Sequence, residues 1–286
     1  MSKLRGDQIY VRTLSASRVP SATGRDWQYH SRSDAHSKAA CWGIVFDLLA
    51  TCSLFKQHVQ AEKVGFGINH TMRDFRMNRK KNLDLVICTP HSPYGQKGTS
   101  FAELADRYRI TLNDNELEEL SALPTLQRSD VGSVLVALEA KACMTEHIKA
   151  CPRLYDELSS SFQTIHGDST NAIASAFVTI NAAAQFLSPV RNKDAGVDGS
   201  AISSSHDQPK SAKRVLEKIM ELPRRSGEDG VGYDALGALF VECRNDGSEV
   251  SIVKALSDGT EVNSIINYQS MIGRIATIYT SRFRGL

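Results

Sequence analysis

The residues most able to do chemistry form the tripeptide Glu139-Ala140-Lys141, which ends an otherwise apolar run at residues 131–142. In an extended chain, residues two apart share a face. The carboxylate and the ammonium therefore point the same way, in a place where an unpaired charge is costly to bury. A second lone acid, Asp84, interrupts another apolar run at residues 83–88. Two carboxylates on neighbouring strands make an oxygen-rich site for a hard divalent cation such as Mg²⁺, with Mn²⁺ as the alternative. An ammonium beside them can orient water and stabilise charge on a phosphate. The metal ligands are expected to be Asp84 and Glu139, and the catalytic set Asp84, Glu139 and Lys141.

The elements that must position these residues follow from periodicity. Residues 1–33 are an arm with weak pattern and one expected strand at 9–14. From Asp34, Ala40, Ile44, Leu48, Cys52 and Phe55 recur at helical spacing, with Ser33 or Asp34 as cap. Strands are predicted at 63–68, 83–88 and 131–142, with two short helices at 101–108 and 113–123 inserted before the last. A helix capped by Thr145 carries Ile148, Cys151, Tyr155, Leu158, Phe162 and Ile165 on one face, and a buried strand follows at 171–183. Residues 189–211, rich in Ser, Gly, Asp and Pro, read as a flexible loop. A helix near 212–222, strands near 235–243 and 249–255 and a final helix follow, expected to pack on the same sheet.

The spacing Asp84 … Glu139-x-Lys141, on strands in the order helix, three strands, helix, strand, resembles the PD-(D/E)xK nuclease superfamily, whose members include restriction endonucleases. The resemblance covers residues 34–183, and it implies a nuclease core at 34–188 with the helical insertion at about 100–124. It implies an α/β fold with a restriction-endonuclease-like core, a mixed sheet flanked by helices, and a C-terminal α/β extension at 212–286. It also implies a Mg²⁺-dependent DNA endonuclease of restriction or phage-defence type, acting as a homodimer or with a defence-complex partner. A repair or RNA-directed nuclease, and a non-catalytic nucleic-acid-binding subunit on the same fold, are the alternatives. Some family members carry a further acid on the first helix, for which Asp47 is the nearest residue.

The remaining features are weighed against that site. Arg73, Arg76, Arg79, Lys80 and Lys81 lie just ahead of the Asp84 run and form either a solvated loop or a phosphate-contacting patch. Beside the site, the patch is favoured. Glu139 and Lys141 can instead form an ion pair on a solvated face. Glu242-Cys243-Arg244 repeats the acid-x-base pattern, but a planar, permanently charged guanidinium is a poor substitute for lysine. His70, His91, His147 and His166 read as surface or capping residues, and Ser159, Ser160 and Ser161 have no partner at a telling distance. The helices at 101–123 read as a lid in preference to a DNA-reading helix pair.

Composition excludes little. A net charge of +2 with 23% charged and 41% hydrophobic residues is ordinary for a globular chain. The apolar stretches at 39–55 and 173–187 are interrupted by polar residues and fall short of the roughly 20 residues of a spanning helix. No membrane association is expected. Six scattered cysteines without paired spacing point to buried, reduced thiols and a cytoplasmic protein.

Overall fold

The computed structural model describes residues 4–21, 23–91, 99–195 and 201–286. Its elements in chain order are α1 (Gly6–Ala16), β1 (Val19–Pro20), β2 (Asp26–Trp27), α2 (Ala35–Thr51), α3 (Ser53–Gln60), β3 (Gly65–Asp74), β4 (Arg79–Pro90), α4 (Phe101–Arg107), α5 (Asp114–Ala122), β5 (Val131–Cys143), α6 (His147–Asp168), β6 (Ile173–Asn181), β7 (Gln185–Phe186), β8 (Ser204–Ser205), α7 (Lys210–Met220), β9 (Ala235–Glu242), β10 (Ser251–Val253) and α8 (Tyr268–Arg282).

The near-continuous apolar runs of β5, β6 and β9 are buried on both faces, as strands covered by helices on each side must be. They sit inside a six-stranded sheet of order β10-β9-β6-β5-β4-β3. The pairs β5–β6 and β6–β9 are parallel; β3–β4, β4–β5 and β9–β10 are antiparallel. The fold is therefore α/β with a mixed sheet flanked by helices. One core lies between the sheet and α1, α2 and α8, and the other between the sheet and α6 and α7. β9 and β10, from the last quarter of the chain, belong to this same sheet.

Several sequence expectations change. The strand expected at 9–14 is the helix α1, with Ile9, Tyr10, Val11 and Leu14 buried. Tertiary packing overrides the β-branched propensity here. Gly6 and Gly43 of α2 bring the two helices together, since a Cβ on Gly6 would lie 2.3 Å from the Gly43 carbonyl oxygen. The long first helix divides into α2 and α3, bent by 93°. β4 starts at Arg79 and β3 runs to Asp74, so the basic cluster is a hairpin and not a loop. Thr145 does not cap α6; its hydroxyl meets His206 Nε2 at 3.1 Å.

The inserted helices each begin in a capping box, Ser100/Glu103 and Asn113/Glu116. They are held on the α1–α2 side, where the Trp42 ring stacks on Phe101 at 4.8 Å and Arg12 pairs with Glu116 at 2.6 Å. Of the loop expected at 189–211, residues 196–200 fall outside the described residues. The flanking parts are tied: β8 pairs with β7, and the Asn192 side chain donates to Ser188 O and Ile202 O. All six cysteines are buried and unbridged. No single helix among the described residues is long and apolar enough to cross a membrane.

Asp47 has a structural task. Its carboxylate accepts the backbone N–H groups of Arg5 and Gly6 at 2.9 and 2.8 Å, and the Tyr268 hydroxyl at 2.9 Å. It thus caps α1 from α2 and ties in α8, well apart from Asp84, and is not a further acid of the site. Burial pushes its carboxyl up to about 6, against the lowering effect of those three donors. The folded state therefore binds this proton more tightly than the unfolded chain. Stability from this group is fully present below the ordinary value of 3.8 and is lost as pH rises through about 6. Asp47→Asn, which cannot titrate, should remove about 2 kcal/mol of the fall in unfolding free energy between pH 4 and 7. Denaturant melts of both proteins across that range measure it; parallel curves would refute the assignment.

Candidate active site

β4 and β5 run antiparallel, with Val86 opposite Ala137 and Leu85 opposite Leu138, and there the ladder ends. Asp84 and Glu139 are the next residues on each strand. Instead of another ladder bond, the Ala140 N–H donates to Asp84 Oδ2 at 3.1 Å. Ser37, near the start of α2, donates its hydroxyl to Asp84 Oδ1 at 3.0 Å.

β4 is distorted at this position on its other side too. Ile68 pairs with Leu85 and His70 with Leu83, but Asn69 between them is left-handed at φ 51°, a conformation Asn tolerates better than most residues. Leu83 packs with Met72 in the core against α6, whereas Leu85 and Ile87 join the core on the α2 side. The strand's facing therefore switches at Asp84, and its carboxylate occupies the fork between β4 and β5.

Glu139 is 2% exposed. Its Oε1 lies 3.0 Å from Lys141 Nζ and 3.3 Å from Lys81 Nζ. Its Oε2 is buried without a hydrogen-bond partner among the described residues. Lys141 also reaches Glu157 Oε2 on α6 at 3.5 Å, Lys81 Nζ donates to the Glu157 carbonyl at 3.3 Å, and Arg153 pairs with the Glu157 carboxylate at 2.7 Å. Two carboxylates, Glu139 and Glu157, thus meet three cations, Lys81, Lys141 and Arg153, beside the hydrogen-bonded Asp84.

The protonation states follow from these neighbours. Burial, together with the Glu139 charge, raises the Asp84 carboxyl, against the lowering effects of the Ala140 N–H, Ser37 and Lys141. Burial alone pulls Lys141 down, but Glu139, Glu157 and Asp84 outweigh it and hold the amine above its ordinary value. Lys141 is therefore an ammonium at neutral pH, a hydrogen-bond donor and not a base. Burial works to raise Glu157, but Arg153, Lys141 and Lys81 hold it below the ordinary carboxylate range. His36 is pushed down to about 4 by burial and by Lys141, so its ring is neutral.

The structure brings Asp84, Glu139 and Lys141 together, and the Glu139–Lys141 ion pair lies beside α6 with its carboxylate buried and its ammonium partly exposed. Lys81, expected in the surface patch, belongs here. Arg73, Arg76, Arg79 and Lys80 stay on the hairpin. Ser37 and Glu157 were not foreseen: each arrives from a helix whose docking the local pattern does not encode. The Glu157–Arg153 spacing of four residues marked only a helix-surface pair.

The other candidates separate from this site. Glu242 and Arg244 form a surface pair at 3.8 Å. His147 and His166 are internal and not surface groups: His147 Nε2 meets Asn181 O at 2.8 Å, and His166 lies 3.7 Å from Asp234. The Ser161 hydroxyl donates to the Glu157 carbonyl.

Mg²⁺ suits the donor set. It takes oxygen ligands, uses one or two protein carboxylates and completes its shell with water and phosphate oxygens. Asp84 at the strand fork and the orphaned Glu139 Oε2 are such carboxylate donors. No group of three or more His, Cys, Asp or Glu side chains suited to a metal forms among the described residues.

The chain was compared with protein-family models, with curated proteins and with solved structures, and none of the three comparisons finds a match.

The lysine pair sets a stability test. Removing one lysine leaves Glu139 with the other, so Lys81→Met or Lys141→Met should each cost less than about 2 kcal/mol. Lys81→Met/Lys141→Met strands a buried carboxylate and should cost about 3–5 kcal/mol. Adding Glu139→Leu should recover most of the loss. Urea denaturation of the four variants decides; an additive, unrescued series would rule out the shared ion pair.

Proposed function

We propose that this chain is a Mg²⁺-dependent phosphodiesterase that cleaves DNA, with Asp84 and Glu139 as metal ligands and Lys141 as the ammonium at the reacting phosphate. The observation that carries the reading is the buried Glu139 Oε2. It has no protein partner among the described residues and lies in the same site as the Asp84 carboxylate and two lysines. A buried carboxylate oxygen is costly to leave unsatisfied, and a divalent cation satisfies it.

The order α2–α3, β3–β4–β5, α6, β6, with antiparallel β3–β4–β5 and parallel β5–β6, supports the resemblance to the PD-(D/E)xK nucleases and their restriction-endonuclease-like core. Bound at Asp84 and Glu139, the ion supplies Lewis-acid charge to the phosphate. Lys141 Nζ, held by Glu139 and Glu157, would donate to the attacking water or to a non-bridging phosphate oxygen, and Lys81 offers a second ammonium. Ser37 and the Ala140 N–H hold Asp84 by one bond on each oxygen, which leaves each oxygen further lone pairs for an ion. Cutting both strands of a duplex takes two such sites, so the acting form is read as a homodimer, in a restriction or defence setting.

The test is cleavage of plasmid, linear DNA and RNA with Mg²⁺ or with chelator, beside thermal melting of each variant. Wild-type protein should cut DNA only with the metal. Asp84→Ala should be inactive, and Lys141→Ala should lose about 10²–10³-fold in rate, the size expected for one positioned electrostatic group. Because the Asp84 carboxyl is held above its ordinary value, metal-dependent cleavage should fall as pH drops through that raised value. A folded Lys141→Ala protein that cuts at the wild-type rate removes the role of Lys141. Wild-type protein inert on all three substrates removes the reading.

A further inference from the structure

The tip of the β3–β4 hairpin, residues 75–80, is exposed throughout. Phe75 and Met77 stand 71% and 61% exposed on either side of Arg76. This tip is built, not loose. Asp74, 4% exposed, accepts the N–H groups of Arg76 and Met77 on Oδ1 at 3.0 and 3.2 Å, as Asp does in tight turns. Gly167 of α6 leaves room for Asp74: a Cβ there would lie 2.4 Å from the Asp74 carboxyl carbon. The Arg73 N–H donates to Asp168 Oδ2 at 2.6 Å, and the Arg79 guanidinium donates to Gln163 Oε1 at 2.7 Å. Both bonds clamp the hairpin to α6. The Arg73 guanidinium donates to Asn78 Oδ1 at 2.7 Å and lies 5.2 Å from the Phe75 ring centroid. The ring is thus held out on a cationic support. Among the described residues, the Arg76 guanidinium and the Lys80 ammonium form no salt bridge, the neighbouring Lys81 being the hairpin cation that does.

A partner for this tip must present apolar planes edged by anions. A DNA duplex does: bases that apolar side chains can part from the minor groove, flanked by phosphates. β4 also leads from the tip into the site, through Lys81, which lies on Glu139 Oε1, to Asp84. We infer that the β3–β4 hairpin is a DNA wedge, with Phe75 and Met77 entering a base step and Arg76 and Lys80 on the bordering phosphates. The inference rests on the nucleic-acid reading of the Asp84–Glu139–Lys141 site. Asp84 lies seven positions beyond Met77 in the chain, at most roughly 23 Å at ~3.3 Å per residue. The parted step therefore lies within about seven base pairs of the cut, at ~3.4 Å per step.

The test titrates the full chain, in chelator, onto a duplex carrying 2-aminopurine, whose fluorescence rises on unstacking. Phe75→Ala/Met77→Ala should bind at least about tenfold more weakly, lose the fluorescence rise, and keep the wild-type slope of log affinity against log salt. Arg76→Ala/Lys80→Ala should flatten that slope by up to about two. All four positions are exposed, and unchanged melting temperatures check the fold. If Phe75→Ala/Met77→Ala binds and unstacks the duplex like wild type, the wedge is wrong while the nuclease reading stands. If wild-type protein binds anionic phosphatidylserine vesicles through these residues and no duplex, the hairpin is a membrane contact and the wedge is wrong. If wild-type protein neither binds nor cuts any nucleic acid, both readings fail together.

Discussion

One buried carboxylate organises the candidate site. Glu139 lies at the end of the central apolar strand, where desolvation alone would make its charge very costly, and two ammonium groups meet on a single one of its oxygens. One of them, Lys141, is its neighbour on β5; the other, Lys81, comes from β4. Glu157 then ties both lysines to α6, through its carboxylate and its backbone carbonyl. The arrangement joins two strands and a helix electrostatically, and it still leaves the second Glu139 oxygen unpaired.

The second constraint is the fork at Asp84. A regular strand would send Leu83 and Leu85 to the same face, yet one packs towards α6 and the other towards α2. The slip at Asp84, matched by left-handed Asn69 on β3, lets one hairpin serve both cores. The outer part of the hairpin bends onto α6, where Asp74 and Gly167 interlock. The carboxylate that replaces the lost ladder bond to Ala140 is thereby held and partly desolvated, and the base of the cationic tip is bonded to α6.

Strand and helix positions for the central runs were legible in the sequence because burial on both faces demands long apolar stretches, and β5, β6 and β9 have them. The acid-x-Lys pair was legible for the same reason, since charge is conspicuous inside such a run. The sequence also determined the inserted helices, whose capping boxes are local signals. Tertiary structure decided the rest. Ile9 to Leu14 became helix because Gly6 can touch Gly43 and Asp47 can cap it across α2, contacts more than 35 residues distant in the chain. Lys81 left the surface patch for the site, and Ser37 and Glu157 joined it, because two helices dock on opposite sides of one strand fork. Spacing along a chain reports which residues share a local face. Which faces meet is settled only when non-local burial and hydrogen bonding are satisfied together.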